Sequence, residues 1–160
     1  MLSLPESCDF VVPADWIDSN GHMNVAWYVH AFDSVIDRIF CQFGLATEDI
    51  PRSLRSFFTL DLRIQYRSEL LLGDRCGFDY RIVGFDSYRI HFRMVMIRRS
   101  DGVVAALLDQ LSIAVDMETR AKAVIPREYL DRIAAMVAAQ GDGGGDEPRL
   151  ERFDRPIGIG

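Results

Sequence analysis

Basic charge is in deficit in this chain. Its 160 residues carry 18 Lys and Arg against 24 Asp and Glu, a net charge of −6. A nucleic-acid partner needs clustered cations to replace the counterions on phosphate, so none is expected. Cysteine is scarce too. Cys8, Cys41 and Cys76 are far apart and odd in number, which suits neither a disulfide framework nor a zinc site. Packing is their expected role, with Cys41 among helix residues and Cys76 in a strand, and a reducing, cytoplasmic location follows. No apolar run approaches the roughly 20 residues of a membrane span. Met1-Leu2-Ser3-Leu4-Pro5-Glu6 lacks the basic segment and apolar run of a signal peptide. No internal repeat is visible. The length suits one domain, and a hydrophobic content of 49% allows a sizeable core.

What is present is organised around residues 15 to 43. Asp15-Trp16-Ile17-Asp18-Ser19-Asn20-Gly21-His22-Met23-Asn24 is turn chemistry, because short polar side chains bond their own backbone and Gly tolerates positive φ. A helix follows. Val25, Tyr28, Val29, Phe32, Val35, Ile36, Ile39, Phe40 and Phe43 share one face at spacings of three and four, and His30, Asp33, Ser34, Asp37, Arg38 and Gln42 share the other. Gly44 stops the helix, and Asn24 or Asn20 can cap its start. A carboxylate, a carboxamide and an imidazole therefore stand at a helix N-terminus, whose free N–H groups favour negative charge. That is a place to stabilise an oxyanion.

Upstream, residues 8–13 read as a short strand closed by Pro13, and Thr47-Glu48-Asp49-Ile50-Pro51 could hold one helical turn. The period then changes to two. Phe58, Leu60, Leu62, Ile64 and Tyr66 alternate with polar residues. So do Cys76, Phe78, Tyr80 and Ile82, then Tyr88, Ile90, Phe92, Met94 and Met96. Ser100-Asp101-Gly102 signals a hairpin before a last long strand, 103–115. Pro126 to Gln140 reads as a closing helix with Tyr129, Leu130, Ile133, Met136 and Val137 on one side. Residues 1–140 form the expected domain, and 141–160 a Gly-rich linker and tail. Four long strands and one short one offer a broad apolar face, and one early helix carries the largest apolar stripe. The economical α+β solution is an antiparallel sheet of about five strands wrapped around that helix. Its open edges and thin core predict a homodimer or homotetramer.

Strand, loop, long helix and four antiparallel strands is the order of a hot-dog fold. Asp18-Ser19-Asn20-Gly21-His22-Met23-Asn24, with Tyr28 one turn on, resembles the D-x-x-G-H-x-N motif of 4-hydroxybenzoyl-CoA-type thioesterases. Within that group the sequence is similar to the branch containing betainyl-CoA thioesterase. Arg63-Ile64-Gln65-Tyr66-Arg67 before Gly73-Asp74, and Ala105-Ala106 to Val115-Asp116 before Pro126, fit that branch. The resemblance covers roughly residues 8 to 130. It implies hydrolysis of an acyl-CoA thioester at a dimer interface, with Asp18 as general base or as nucleophile giving a mixed anhydride. It implies the Val25 backbone N–H as oxyanion donor. Asn20 and His22 also match the Asn-x-His pair of plant-type acyl-carrier-protein thioesterases and could hold or polarise the water. Asn24, Tyr28 and Trp27 are the substrate-binding candidates. The pattern calls for no metal, and for no cofactor beyond the CoA of the substrate.

Bland readings stand beside these. Asp18 is also good turn chemistry, Asn24 a good cap, and Tyr28 a stripe residue with core to pack against. Trp16, Trp27, Phe57 and Phe58, if gathered near the loop, would suit a quaternary ammonium acyl group by cation–π attraction. His30 and His91 show no partner in the sequence. Arg89, Arg98 and Arg99 are candidates for the CoA phosphates, although the segment Gly84-Phe85-Asp86 lacks the basic cluster some family members carry there. Two rival functions remain at this point: a non-catalytic acyl-CoA-binding hot-dog module, and a hot-dog dehydratase or hydratase.

Overall fold

A computed structural model describes residues 1–44 and 55–141. The turn read at Thr47–Pro51 and the tail from residue 142 lie outside the described residues. The described elements are β1 (Leu2–Ser3), β2 (Phe10–Val11), α1 (Val25–Gln42), β3 (Arg55–Tyr66), β4 (Arg75–Phe85), β5 (Arg89–Arg98), β6 (Val104–Asp116) and α2 (Arg127–Ala139). All strands join one antiparallel sheet in the order β1-β4-β5-β6-β3, with β2 also on β4. The sheet has six strands rather than about five, because the N-terminus folds back on β4, where Leu4 N–H donates to the Phe78 carbonyl at 2.9 Å. The strand expected over 8–13 is only Phe10–Val11, preceded by a 3-10 turn over Glu6–Cys8.

α1 buries Tyr28, Ala31, Phe32, Val35, Ile36, Ile39 and Phe40 in one cluster with Phe78, Tyr80, Ile82, Ile90, Phe92 and Met94 of the sheet. Phe32 meets Phe78 edge-on at 5.6 Å, and Phe40 meets Phe92 at 5.5 Å. Each large side chain buried this way stabilises by about 1.5–3 kcal/mol, so the stripe on α1 is a principal source of stability. The helix ends at Gln42, Gly44 turns the chain away at a φ of +84°, and Arg132 of α2 donates to the Phe43 carbonyl between them at 3.3 Å.

Two side chains depart from the expected stripes. Val25, the first helical residue, is 55% exposed. Cys41 is exposed on the polar face of α1, not packed. Cys76 is buried as expected, and desolvation pushes its thiol up to about 12. β3 shows a third difference. Its register on β6 shifts between Thr59 and Asp61, so Leu60 is an extra residue. A bulge reverses which parity faces inward. Phe57 packs inward on one side of it, and Leu62 and Ile64 on the other, which leaves Phe58 and Leu60 exposed.

β4 carries its own irregularity, between Ile82 and Gly84. There the Gln140 side chain takes the place of a strand: its Oε1 accepts from Ile82 N–H at 2.7 Å, and its Nε2 donates to the Ile82 carbonyl at 3.4 Å. Among the described residues no helix is long and apolar enough to cross a membrane.

Candidate active site

The loop before α1 is built by its own backbone. Asp18 N–H donates to the His22 carbonyl and Gly21 N–H to the Asp18 carbonyl, both at 3.0 Å. Gly21 closes the turn at a φ of +82°, a region that costs other residues strain. Met23 N–H bonds the Leu70 carbonyl at 2.8 Å, which moors the loop to the β3–β4 connection, and Asn24 N–H closes the loop on the Trp16 carbonyl, also at 2.8 Å.

This frame brings Asp18, Asn20, His22 and Asn24 together. Asp18 Oδ1 accepts from the Asn20 backbone N–H at 2.8 Å, and Oδ2 accepts from Asn24 Nδ2 at 3.4 Å. His22 Nδ1 lies 3.9 Å from Asp18 Oδ1 and donates to the Met23 carbonyl at 3.2 Å. That carbonyl can only accept, so the bond assigns the ring proton of a neutral His22 to Nδ1 and leaves Nε2 as an acceptor. The Asp18 side chain is 21% exposed, open enough to meet solvent or a ligand.

Asn24 caps α1, its Oδ1 accepting from Ala26 N–H at 3.0 Å. Trp27 N–H bonds the Asn24 carbonyl at 3.0 Å. Of the first three helical N–H groups, only that of Val25 has no acceptor among the described residues.

A cleft of about 390 Å³ opens beside this N-terminus, lined by His22, Met23, Val25, Tyr28, Tyr66, Arg67, Ser68 and Glu69. Tyr28 and Tyr66 meet at right angles, with ring centroids 5.1 Å apart. Tyr66 O–H donates to the Val25 carbonyl at 3.4 Å, and Tyr28 O–H to the Ser68 carbonyl at 3.5 Å. Desolvation pushes the Tyr28 hydroxyl up to about 12, so it stays a proton donor at neutral pH.

Of the site residues read from sequence, His22, Val25 and Tyr28 line the cleft, while Asp18, Asn20, Asn24 and Trp27 do not. Asp18 reaches it through His22. Trp27 instead stacks on Trp16 with centroids 4.9 Å apart and planes 5° from parallel, and His30 sets its edge against both rings. His30 is therefore partnered. The expected gathering of four aromatics does not occur: Phe57 stacks on Phe40 near the far end of α1, and Phe58 lies under Arg120. Such close tryptophan stacking leaves no gap for a cation.

Nothing in the sequence singles out Tyr66, Arg67, Ser68 and Glu69 as site residues. The signal for them is slight: the strand alternation breaks into the polar run Arg67-Ser68-Glu69, followed by three leucines before the turn at Gly73. Arg89, Arg98 and Arg99 do not line the cleft, and each is bonded to a carboxylate, on Asp86, Asp101 and Asp9 respectively. His91 also has a partner, its Nε2 lying 3.7 Å from Asp109 Oδ2 on the sheet's outer face. Arg93 grips the same carboxylate with two bonds of 2.7 and 2.8 Å. Among the described residues, no three His, Cys, Asp or Glu side chains are grouped to hold a metal ion.

Residues 12–135 match the thioesterase-like superfamily. The chain belongs to that superfamily. It is 27% identical over 125 residues to the betainyl-CoA thioesterase of Pseudomonas aeruginosa, a stretch covering 78% of this chain and 79% of that one. A solved structure from Pseudomonas putida KT2440, proposed to be a thioesterase, superposes with a TM-score of 0.73 at 28% identity, covering 100% of this chain and 99% of that one. The Staphylococcus aureus protein SAV2348, solved in complex with CoA, gives 0.77 at 24% identity, covering 95% and 93%. The fold is thus the hot-dog fold expected from the loop motif and element order, and this superfamily member is a thioester hydrolase.

Proposed function

We propose that this chain hydrolyses acyl-CoA thioesters in the cleft at the start of α1, as a homodimer. The observation that carries the reading is the open N–H of Val25, a residue that lines the cleft, at a helix start whose next two N–H groups are already bonded. An amide held at the positive end of a helix needs no reorganisation to receive a developing oxyanion.

The thioester oxygen accepts from Val25 N–H. A water attacks the carbonyl carbon while Asp18 takes its proton. The tetrahedral intermediate then collapses, the C–S bond breaks, and the departing CoA sulfur receives the proton Asp18 had accepted. The Asp18 carboxylate lies outside the cleft lining, so a water between it and the ester suits general-base catalysis better than direct attack. His22, with Nε2 as acceptor, orients that water. The Asn20 N–H and the Asn24 carboxamide hold the Asp18 carboxylate. Tyr28 walls the acyl pocket, and Trp27 acts at one remove, through its stack on Trp16 of the loop.

The open edge of β3 supports a dimer formed there. That strand pairs only with β6, so its other edge is open among the described residues, and it exposes Phe58, Leu60 and Tyr66. Tyr66 also lines the cleft, so a second copy there would complete the site's outer wall. Three free cysteines suit a cytoplasmic location.

The test is thiol release from acetyl-, octanoyl-, benzoyl- and betainyl-CoA by wild type and Asp18→Asn. The P. aeruginosa relative acts, by its name, on the last of these. The expected result is cleavage of at least one ester and a loss of about a hundredfold or more in the variant. Full activity in Asp18→Asn would remove that residue from the mechanism. Saturable binding without thiol release would favour the binding module, and hydration of crotonyl-CoA the hydratase.

A further inference from the structure

We infer that Arg98, a residue absent from the cleft lining, is a positioning residue: it fixes the strip of chain that walls the cleft and anchors the Asp18 loop. This role rests on the proposed hydrolysis at that loop.

Residues 67–74 join β3 to β4 without regular structure, so their polar backbone groups need partners outside a strand ladder. At the start, the N–H groups of Arg67 and Ser68 donate to the Ala105 carbonyl at 2.8 and 3.2 Å. At the far end, Leu71 N–H donates to Asp74 Oδ2 at 2.9 Å. Between them, two successive carbonyls bridge Arg98 to the loop. That of Glu69 accepts from Arg98 Nη1 at 3.2 Å, and that of Leu70 accepts from Met23 N–H at 2.8 Å. Met23 stands between His22 and Asn24, the proposed water-orienting and carboxylate-holding residues.

The guanidinium is itself held from the other side. Arg98 is the last residue of β5, and the hairpin after it closes tightly, with Gly102 N–H on the Arg98 carbonyl at 2.9 Å. Nε and Nη2 of Arg98 grip the Asp101 carboxylate of that hairpin at 3.0 and 2.7 Å. Nη1, besides bonding the Glu69 carbonyl, lies 3.6 Å from Asp74 Oδ2, the oxygen that accepts from Leu71 N–H. One nitrogen thus reaches both ends of the Glu69–Asp74 stretch, with the Leu70 anchor between, while the other edge of the planar fork is fixed on the hairpin. Such an arrangement serves position rather than CoA phosphate. The side chain is only 19% exposed, and all three guanidinium nitrogens already bond protein oxygens.

The test measures thiol release by wild type and Arg98→Ala from the CoA ester and the pantetheine ester of an acyl group that wild type cleaves. Pantetheine carries no phosphate. Arg98→Ala should lower kcat about tenfold or more on both esters, with KM within about twofold, because a slightly misplaced base costs rate rather than binding. Millimolar guanidinium chloride, far below denaturing concentrations, should restore part of that kcat and none in Asp18→Asn; a loss of fold alone would not respond. Amide exchange followed by mass spectrometry reads the same tie without turnover. Peptides covering 16–24 and 67–74 should exchange faster in Arg98→Ala, and those from the second half of α1 should not. Asp101→Asn, which loosens the fork without removing it, should show the same pattern in smaller measure, and carries the test if Arg98→Ala does not fold. Unchanged kcat and exchange in both variants overturn the inference. So does a rise in KM confined to the CoA ester, which would return Arg98 to the phosphates. Absent thiol release by wild type would strike the hydrolysis itself, while the exchange pattern would still decide whether Arg98 holds the loop.

Discussion

The Asn24 carboxamide joins the Asp18 carboxylate to the start of α1: its Nδ2 donates to Asp18 Oδ2, and its Oδ1 caps Ala26. One side chain thus links helix stability to the orientation of the proposed base. The two roles separate by substitution. Asn24→Ser keeps a capping oxygen but loses the donor to Asp18, and should lower kcat about tenfold with little change in Tm, since a hydrogen bond to a charged group contributes about 1.5–3 kcal/mol. Asn24→Ala loses both and should also cost about 1 kcal/mol of stability by urea unfolding. Equal activity in the Ser variant and wild type would reduce Asn24 to a cap.

The general-base route makes an isotopic prediction. A single turnover in H₂¹⁸O, with enzyme in excess, should place the label in the released acid and none in Asp18. Mass spectrometry of the peptide containing Asp18 reads the alternative, because hydrolysis of a mixed anhydride at the enzyme carboxyl would label that residue.

On the outer face of the sheet, Asp109 makes stability depend on acid. Burial pushes its carboxyl up, but hydrogen bonds from His91 and Arg93, with the charge on Arg93, outweigh this and hold it at about 2. The folded value lies below the unfolded value of about 3.9, so this stabilisation is complete above that pH and is lost as pH falls from about 4 to about 2. Asp109→Asn should flatten the urea midpoint across that window and lower stability at pH 7 by up to about 2 kcal/mol. An unchanged acid profile in the variant would assign the dependence elsewhere.

Dimerisation at β3 is tested through Leu60, which is 56% exposed at the bulge. Light scattering should give wild type twice the 18.2 kDa of one chain and Leu60→Glu a mass nearer one chain, with activity falling alongside. A wild type that runs as a single chain at micromolar concentration would remove the homodimer from the reading.

The helix and the four long strands were legible because their apolar spacing follows regular periods, and α1 starts and stops where Asn24 and Gly44 put it. Leu60 shows where this fails. The run from Phe58 to Tyr66 alternates without a break in sequence, and a bulge is a choice of pairing partner that no local pattern records. The turn motif was equally clear around Asp18. The cleft was not, since Tyr66 at the end of β3 and Arg67, Ser68 and Glu69 of the β3–β4 connection approach it from some 40 residues along the chain from α1 (Tyr28 to Ser68 is 40). His30 and His91 lacked visible partners for the same reason: Trp16 and Asp109 reach them only through tertiary structure.

The Gln140 amide on Ile82 has a consequence for assembly. With β1, β2 and Gln140 all bonded along the outer side of β4, that side offers little backbone to a newcomer. Among the described residues β3 is left as the one long strand with an open edge. An object with one such edge has a pairing valence of one: two copies joined there satisfy each other through a two-fold axis and cannot grow into a filament. Larger assemblies would have to stack on faces. Gln140→Ala would uncover the Ile82 backbone while β1 and β2 still cover the rest of β4, so it should leave the pairing valence at one.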